Sequence, residues 1–124
     1  MASLKASSID HINLQVKDLE KTVAFYRDLF GFELKQDQSK MNSKIIGNGS
    51  IKLALYEDSD LVIGDGFNHF GMHIENFDDI VERCMEMNVS MPYGITDWGK
   101  SRSVYIVDPN GYEIELSEVQ GGGL

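Results

Sequence analysis

The chain is short of positive charge, of cysteine and of long apolar runs, and each shortage closes off a class of protein. Its 11 Lys and Arg face 20 Asp and Glu, for a formal net charge of -9. So acidic a chain is repelled by a nucleic-acid backbone and by an anionic membrane surface, so neither is expected as a partner. No apolar run approaches the roughly 20 residues that a membrane-spanning helix requires, and a secretory leader is not expected. The lone Cys84 cannot form an internal disulfide and suits a reducing compartment, so a cytoplasmic protein is expected. What remains is 124 residues of ordinary globular composition, enough for one domain or two very small halves.

Histidine is scarce as well, and two of the three histidines occupy comparable places. His11 lies in Asp10-His11-Ile12-Asn13-Leu14-Gln15-Val16, and His69 in His69-Phe70-Gly71-Met72-His73-Ile74. Both segments alternate with a period of two, as a strand with one apolar and one polar face does. A third such segment is Glu113-Ile114-Glu115-Leu116-Ser117. The polar faces carry His11, Asn13 and Gln15, then His69 and His73, then Glu113 and Glu115. If those faces converge, they supply two imidazoles and a carboxylate, a set that binds a divalent transition metal and leaves positions open for a substrate.

The order of elements repeats. After the strand at residues 9–16, the pattern predicts a helix over residues 19–30, with Asp18 as N-cap and Gly31 as stop signal. Short strands are expected at residues 32–36, 44–46 and 51–56, the last after an Asn48-Gly49 turn. Residues 58–67 resemble a linker. The second unit repeats the order: a strand at 70–75, a helix at about 78–88, then strands near 89–91, 103–107 and 112–117. Asp108-Pro109-Asn110-Gly111 makes the final tight turn, and the Gly121-Gly122-Gly123 tail is expected to fray. Counting from the turn glycines, Leu53 occupies in the first unit the place that Glu115 occupies in the second.

These segments resemble the vicinal oxygen chelate superfamily, which includes glyoxalase I, extradiol dioxygenases, and fosfomycin- and bleomycin-resistance proteins. The residues that carry the resemblance are Asp10-His11-Ile12, the stretch from Val16 through Lys21 into Phe25-Tyr26 and Leu29–Phe32, Asn68-His69-Phe70, and Tyr105 through Leu116. The resemblance implies an α+β fold, with two tandem βαβββ units (about residues 9–57 and 69–118) forming a curled mixed-sheet cup in a single glyoxalase-like domain. It further implies that His11, His69 and Glu115 are the metal ligands, one divalent ion per site, with Zn, Mn, Fe, Ni and Co not distinguished. A homodimer with sites shared between chains is implied as well.

Within that family glyoxalase I has a fourth ligand at the position assigned to Leu53, and leucine can neither bind a metal nor take a proton. Extradiol dioxygenases have a catalytic His shortly before the Tyr-x-x-Asp-Pro turn, and no His follows His73 here. The expectation is therefore a metal-dependent enzyme acting on a small molecule through vicinal oxygens, of lyase or isomerase type. The alternatives are a non-catalytic, antibiotic-type binding protein, an extradiol-type dioxygenase and a fosfomycin-type thiol transferase. His73, Tyr105 and Glu57 are the candidate proton-transfer groups. Asn13, Gln15, Leu53 and Tyr105 are the candidate substrate contacts. Trp98, Lys100 and Arg102 lie in a long loop, residues 92–102, which is either a lid bearing the basic groups or a solvated connector. Cys84, on the apolar side of a helix, is expected to be buried and inert.

Overall fold

The computed structural model describes residues 9–62 and 67–123. The chain divides into two compact units between Leu61 and Val62. Part of the expected linker, residues 63–66, lies outside the described residues.

The first unit runs β1 (Ile12–Val16), α1 (Leu19–Phe30), β2 (Glu33–Gln38), β3 (Ser43–Gly47) and β4 (Lys52–Glu57). Its sheet order is β1-β4-β3-β2, with β1 parallel to β4 and the other pairs antiparallel. A parallel pair needs a crossover, and α1 opens that connection. The helix starts where Asp18 Oδ1 accepts the Lys21 N–H at 3.0 Å. It stops at Gly31, whose φ of 71° only glycine adopts without cost. Leu19, Thr22, Tyr26 and Leu29 recur at helical spacing and are buried, which packs α1 against the Ile12, Leu14 and Val16 side of the sheet.

The second unit repeats this plan: β5 (His69–His73), α2 (Phe77–Glu86), β6 (Ile95–Asp97), β7 (Arg102–Val107) and β8 (Glu113–Ser117). Its order is β5-β8-β7-β6, with β5 parallel to β8. Phe77, Val81 and Cys84 of α2 are buried, as are Phe70, Met72, Val104, Ile106, Ile114 and Leu116 of the strands. Burial pushes the Cys84 thiol up to about 11, so it stays a protonated, inert core group. Among the described residues no helix is long and apolar enough to cross a membrane.

Three expectations change. Residues 89–91 form no strand: Val89 N–H closes the helix end on Cys84 O at 2.8 Å, after Asn88 turns left-handed. The edge strand is Ile95–Asp97, inside the expected loop. The glycine tail is folded rather than frayed, with Gly122 N–H donating to Val119 O at 2.9 Å.

The register moves one residue of the site. Ile12 pairs with Leu53, and Asn13 pairs with Ala54. Leu53 therefore shares the face of Ile12 and Leu14, opposite Asn13, and is 0% exposed. If His11 is matched to His69, Asn13 matches Gly71, and the partner of Gly71 is Glu115. The counterpart of Glu115 is thus Ala54. Counting from the glycines slips by one because the turn at residues 48–51 is one residue shorter than that at 108–112. Leu53→Glu should accordingly place an unpaired carboxylate in the core and cost several kcal/mol, while Leu53→Ala should cost about 2–5 kcal/mol. Urea unfolding checks both, and a change below about 1 kcal/mol for each, the usual surface effect, would place Leu53 outside the core.

Candidate metal centre

Alternation along the second sheet sends Phe70, Met72, Ile114 and Leu116 toward the core and His69, Gly71, His73, Glu113 and Glu115 to the opposite face. Glu115 lies at the middle of that face, paired in register with Gly71 on one side and with Tyr105 on the other. Its Oε1 is 3.3 Å from His69 Nε2 and accepts the Tyr105 hydroxyl at 3.1 Å. The Tyr105 ring stands edge-on to the His69 imidazole, with centroids 4.9 Å apart. Burial first, then the hydrogen bond to Glu115, raise the Tyr105 hydroxyl above its ordinary value, so at neutral pH it remains a donor.

Asn68 orients the ring. Asn68 Oδ1 lies 2.6 Å from His69 Nδ1 and accepts an Nδ1–H there, so the ring turns Nε2 toward Glu115, and in the neutral ring that nitrogen is the one able to bind an ion. The first unit has the same device. Asp10 Oδ2 lies 2.8 Å from His11 Nδ1, and the hydrogen bond and charge of His11, then Lys52, hold the Asp10 carboxyl below its usual range. A carboxylate only accepts, so the Asp10 contact sets an Nδ1–H on His11, and Nε2 is the nitrogen left for an ion when the ring is neutral. His11 lies one residue ahead of β1 and is exposed.

The donor set fits a divalent ion. Two ligand atoms each about 2.0–2.2 Å from one tetrahedral ion lie roughly 3.4 Å apart, close to the His69–Glu115 separation. His69 and Glu115 are the two such donors brought together in the second unit. Among the described residues no group of three His, Cys, Asp or Glu side chains within the single chain gathers closely enough to hold an ion.

The other expected site residues divide. His73 is exposed on the ligand face, opposite Ser117. Asn13 and Gln15 are exposed on the polar face of β1. Glu57 is not available as a base, because its Oε2 accepts the Leu19 N–H at 2.9 Å and caps α1. Arg102 is not on the ligand face: it binds Glu118 and Asp78 and lies over the Phe77 ring of α2. Asp10, Asn68 and Tyr93 were missed. The signal for the first two was a polar side chain directly before the histidine of each unit. Tyr93 donates to Glu113 and packs edge-on against Tyr105, a contact that no spacing announces.

The raised Tyr105 hydroxyl gives a pH test. A group whose folded pKa exceeds its unfolded value stabilises the fold fully below the unfolded value, about 10 for tyrosine, and loses that contribution as pH rises through the folded value. In an ultraviolet titration, Tyr105→Phe should remove a tyrosine that ionises above the ordinary range. Loss of a tyrosine with ordinary titration would contradict the bond to Glu115.

The profile of the Glyoxalase/Bleomycin resistance protein/Dioxygenase superfamily matches residues 8–116. A lactoylglutathione lyase of Arabidopsis thaliana is 32% identical over 86% of this chain, which spans only 42% of that relative. A metallothiol transferase, FosB, of Staphylococcus saprophyticus is 29% identical over 88% of this chain and 75% of its own. Among solved structures, the fosfomycin resistance protein FosX of Listeria monocytogenes superimposes with a TM-score of 0.80 at 27% identity, over 97% of this chain and 100% of its own. A mutant of that protein has been seen with Mn(II) and 1S,2S-dihydroxypropylphosphonic acid, at a TM-score of 0.77 and 27% identity, over 90% and 92% of the two chains. With the βαβββ repeat and a matched span that takes in most of both units, the chain belongs to the glyoxalase, bleomycin resistance protein and dioxygenase superfamily.

Proposed function

We propose that the protein is a metal-dependent enzyme of lyase or isomerase type, which binds a small molecule through two vicinal oxygens on one divalent ion. The carrying observation is the His69–Glu115 pair, 3.3 Å apart, with Asn68 turning the free nitrogen of the ring toward the carboxylate. His11, oriented by Asp10 in the same way, is the third ligand. The two units are halves of one domain. In a two-fold homodimer, His11 comes from one chain and His69 with Glu115 from the other. The relative that holds Mn(II) supports an ion of this class.

When bound, the ion acts as a Lewis acid toward a chelated substrate oxygen. Tyr105 supplies a protonated hydroxyl beside both ligands, suited to donate to an oxygen gaining negative charge. His73, exposed on the same face, is the group placed to carry a proton. Asn13 and Gln15 offer neutral hydrogen bonds to substrate. Ala54, in the place equivalent to Glu115, supplies neither a fourth ligand nor a proton acceptor, so methylglyoxal–glutathione hemithioacetal should be turned over poorly.

Calorimetric titration with zinc, manganese, iron(II), nickel and cobalt should give about one ion per chain. His11→Ala, His69→Ala and Glu115→Ala should each weaken binding strongly, and Asn68→Ala by about 10–100-fold. Unchanged affinity in all three ligand variants overturns the proposal. Mixing inactive His11→Ala with inactive Glu115→Ala protein should restore one intact site per heterodimer. Mixtures that stay inactive after subunit exchange rule out shared ligands.

A further inference from the structure

The chain holds two Asn-Gly pairs, Asn48-Gly49 and Asn110-Gly111. At such a pair the backbone nitrogen of the glycine can attack the side-chain carboxamide of the asparagine before it. Glycine permits this because no Cβ shields its nitrogen and its backbone turns freely. By sequence the two pairs have equal standing. Their surroundings separate them.

Asn110 is 3% exposed. Its Nδ2 donates to Asp108 Oδ2 at 3.3 Å, so the amine that would leave is tied down. The Gly111 N–H donates to Asp108 O at 3.1 Å, so the attacking nitrogen is tied down as well. Asp108 Oδ1 accepts the Asn110 and Tyr112 N–H groups at 2.8 and 3.0 Å, which fixes the backbone on both sides of the bond.

Asn48 stands in the turn between β3 and β4, where Asn48, Gly49 and Ser50 are all exposed. The Gly49 N–H makes no hydrogen bond among the described residues. Asn48 Oδ1 accepts the N–H groups of Ser50 at 2.8 Å and Ile51 at 2.9 Å. These bonds draw the carboxamide forward along the turn, toward the Gly49 peptide. They also place two donors on the oxygen that gains negative charge when Cγ is attacked, which is how a preformed oxyanion hole lowers a barrier.

We propose that Asn48 is a site of spontaneous deamidation and that the fold protects Asn110 from the same reaction. Hydroxide takes the Gly49 amide proton, and the nitrogen bonds to Asn48 Cγ. The Cγ–Nδ2 bond breaks, and ammonia leaves with a proton from water, which restores the hydroxide. The product is a five-membered succinimide. Water opens it at Cγ to give aspartate, or at the backbone carbonyl to give isoaspartate, whose main chain runs through Cβ and Cγ. Isoaspartate adds one backbone atom to a turn whose length sets the pairing of Gly47 with Lys52 and Ile46 with Leu53. A Cβ on Gly47 would overlap Ile51 O, so the two arms of the turn already touch and the added atom displaces the pairing.

The native full chain is held in mildly alkaline buffer, sampled over time and digested with trypsin. Asn48 falls in the peptide of residues 45–52, and Asn110 in that of residues 103–124. Mass spectrometry reads the conversion of amide to acid in each, and chromatography separates aspartate from isoaspartate. Asn48 should convert at least about ten-fold faster than Asn110, whose hydrogen bonds must break first. In urea the two should convert within about three-fold of each other, which assigns the difference to the fold. The Cβ of Gly49→Ala meets nothing within 4 Å. That variant should keep the native stability and slow conversion by about ten-fold or more, because the methyl group shields the nitrogen. In the isoaspartate form, hydrogen exchange should quicken at residues 46–53 and stay unchanged in the second unit. A smaller native lead for Asn48, the same lead in urea, an unchanged rate in Gly49→Ala, or aspartate formed without isoaspartate overturns the proposal. Unchanged exchange at residues 46–53 overturns its effect on the turn.

Discussion

The parallel pairing of the first and last strand of each unit is the constraint on which the rest of this protein depends. It sets His69 diagonal to Glu115 across β5 and β8, two residues from its register partner Gly71, and the antiparallel partner β7 then brings Tyr105 up on the other side of the same carboxylate. Alternation makes this all or nothing, since a one-residue slip would turn the three polar groups inward and expose the apolar set. The register is held by what it buries. Ile114, Leu116, Val104 and Ile106 are each 0% exposed, so a slip would surrender the core along with the site. The crossover that makes the parallel pair possible is guarded in the first unit by Asp18 and Glu57, both bonded to the start of α1.

The two units share a backbone plan and divide the chemistry. Each opens on a histidine whose Nδ1 is held by the preceding residue, Asp10 in one and Asn68 in the other. Beyond that the faces differ. Where the second unit has Glu115 flanked by Tyr105, the first has Ala54 flanked by Ile45. A carboxylate at the Ala54 position would be buried beside Ile45 without a partner, which is costly.

Charge is placed with similar economy. The chain is strongly acidic, yet Arg102 is directed to the helix side, where two carboxylates and the Phe77 ring hold it. Cys84, the one thiol, is buried on the core side of α2 and kept protonated by burial.

Local pattern carried much of this into the sequence. The period-two strands, the Asp18 and Gly31 caps, the Asn48 and Asp108 turns, the repeat itself and the special standing of His69 and Glu115 were all legible, because each depends on neighbours a few residues away. What sequence could not decide was registry and reach. A turn at residues 48–51 one residue shorter than its twin moves Leu53 to the core and puts Ala54 in its place. Glu57 reaches back 38 positions to cap a helix, and Arg102 crosses to α2 rather than the ligand face. Residues 89–91, apolar enough for a strand, close a helix instead because Cys84 O is within reach of Val89 N–H. Composition and alternation therefore determined which residues face together within an element. Only tertiary structure decided which elements lie side by side and at what offset, because strand offset is set by the length of turns and the packing of buried side chains, not by the strands' own pattern.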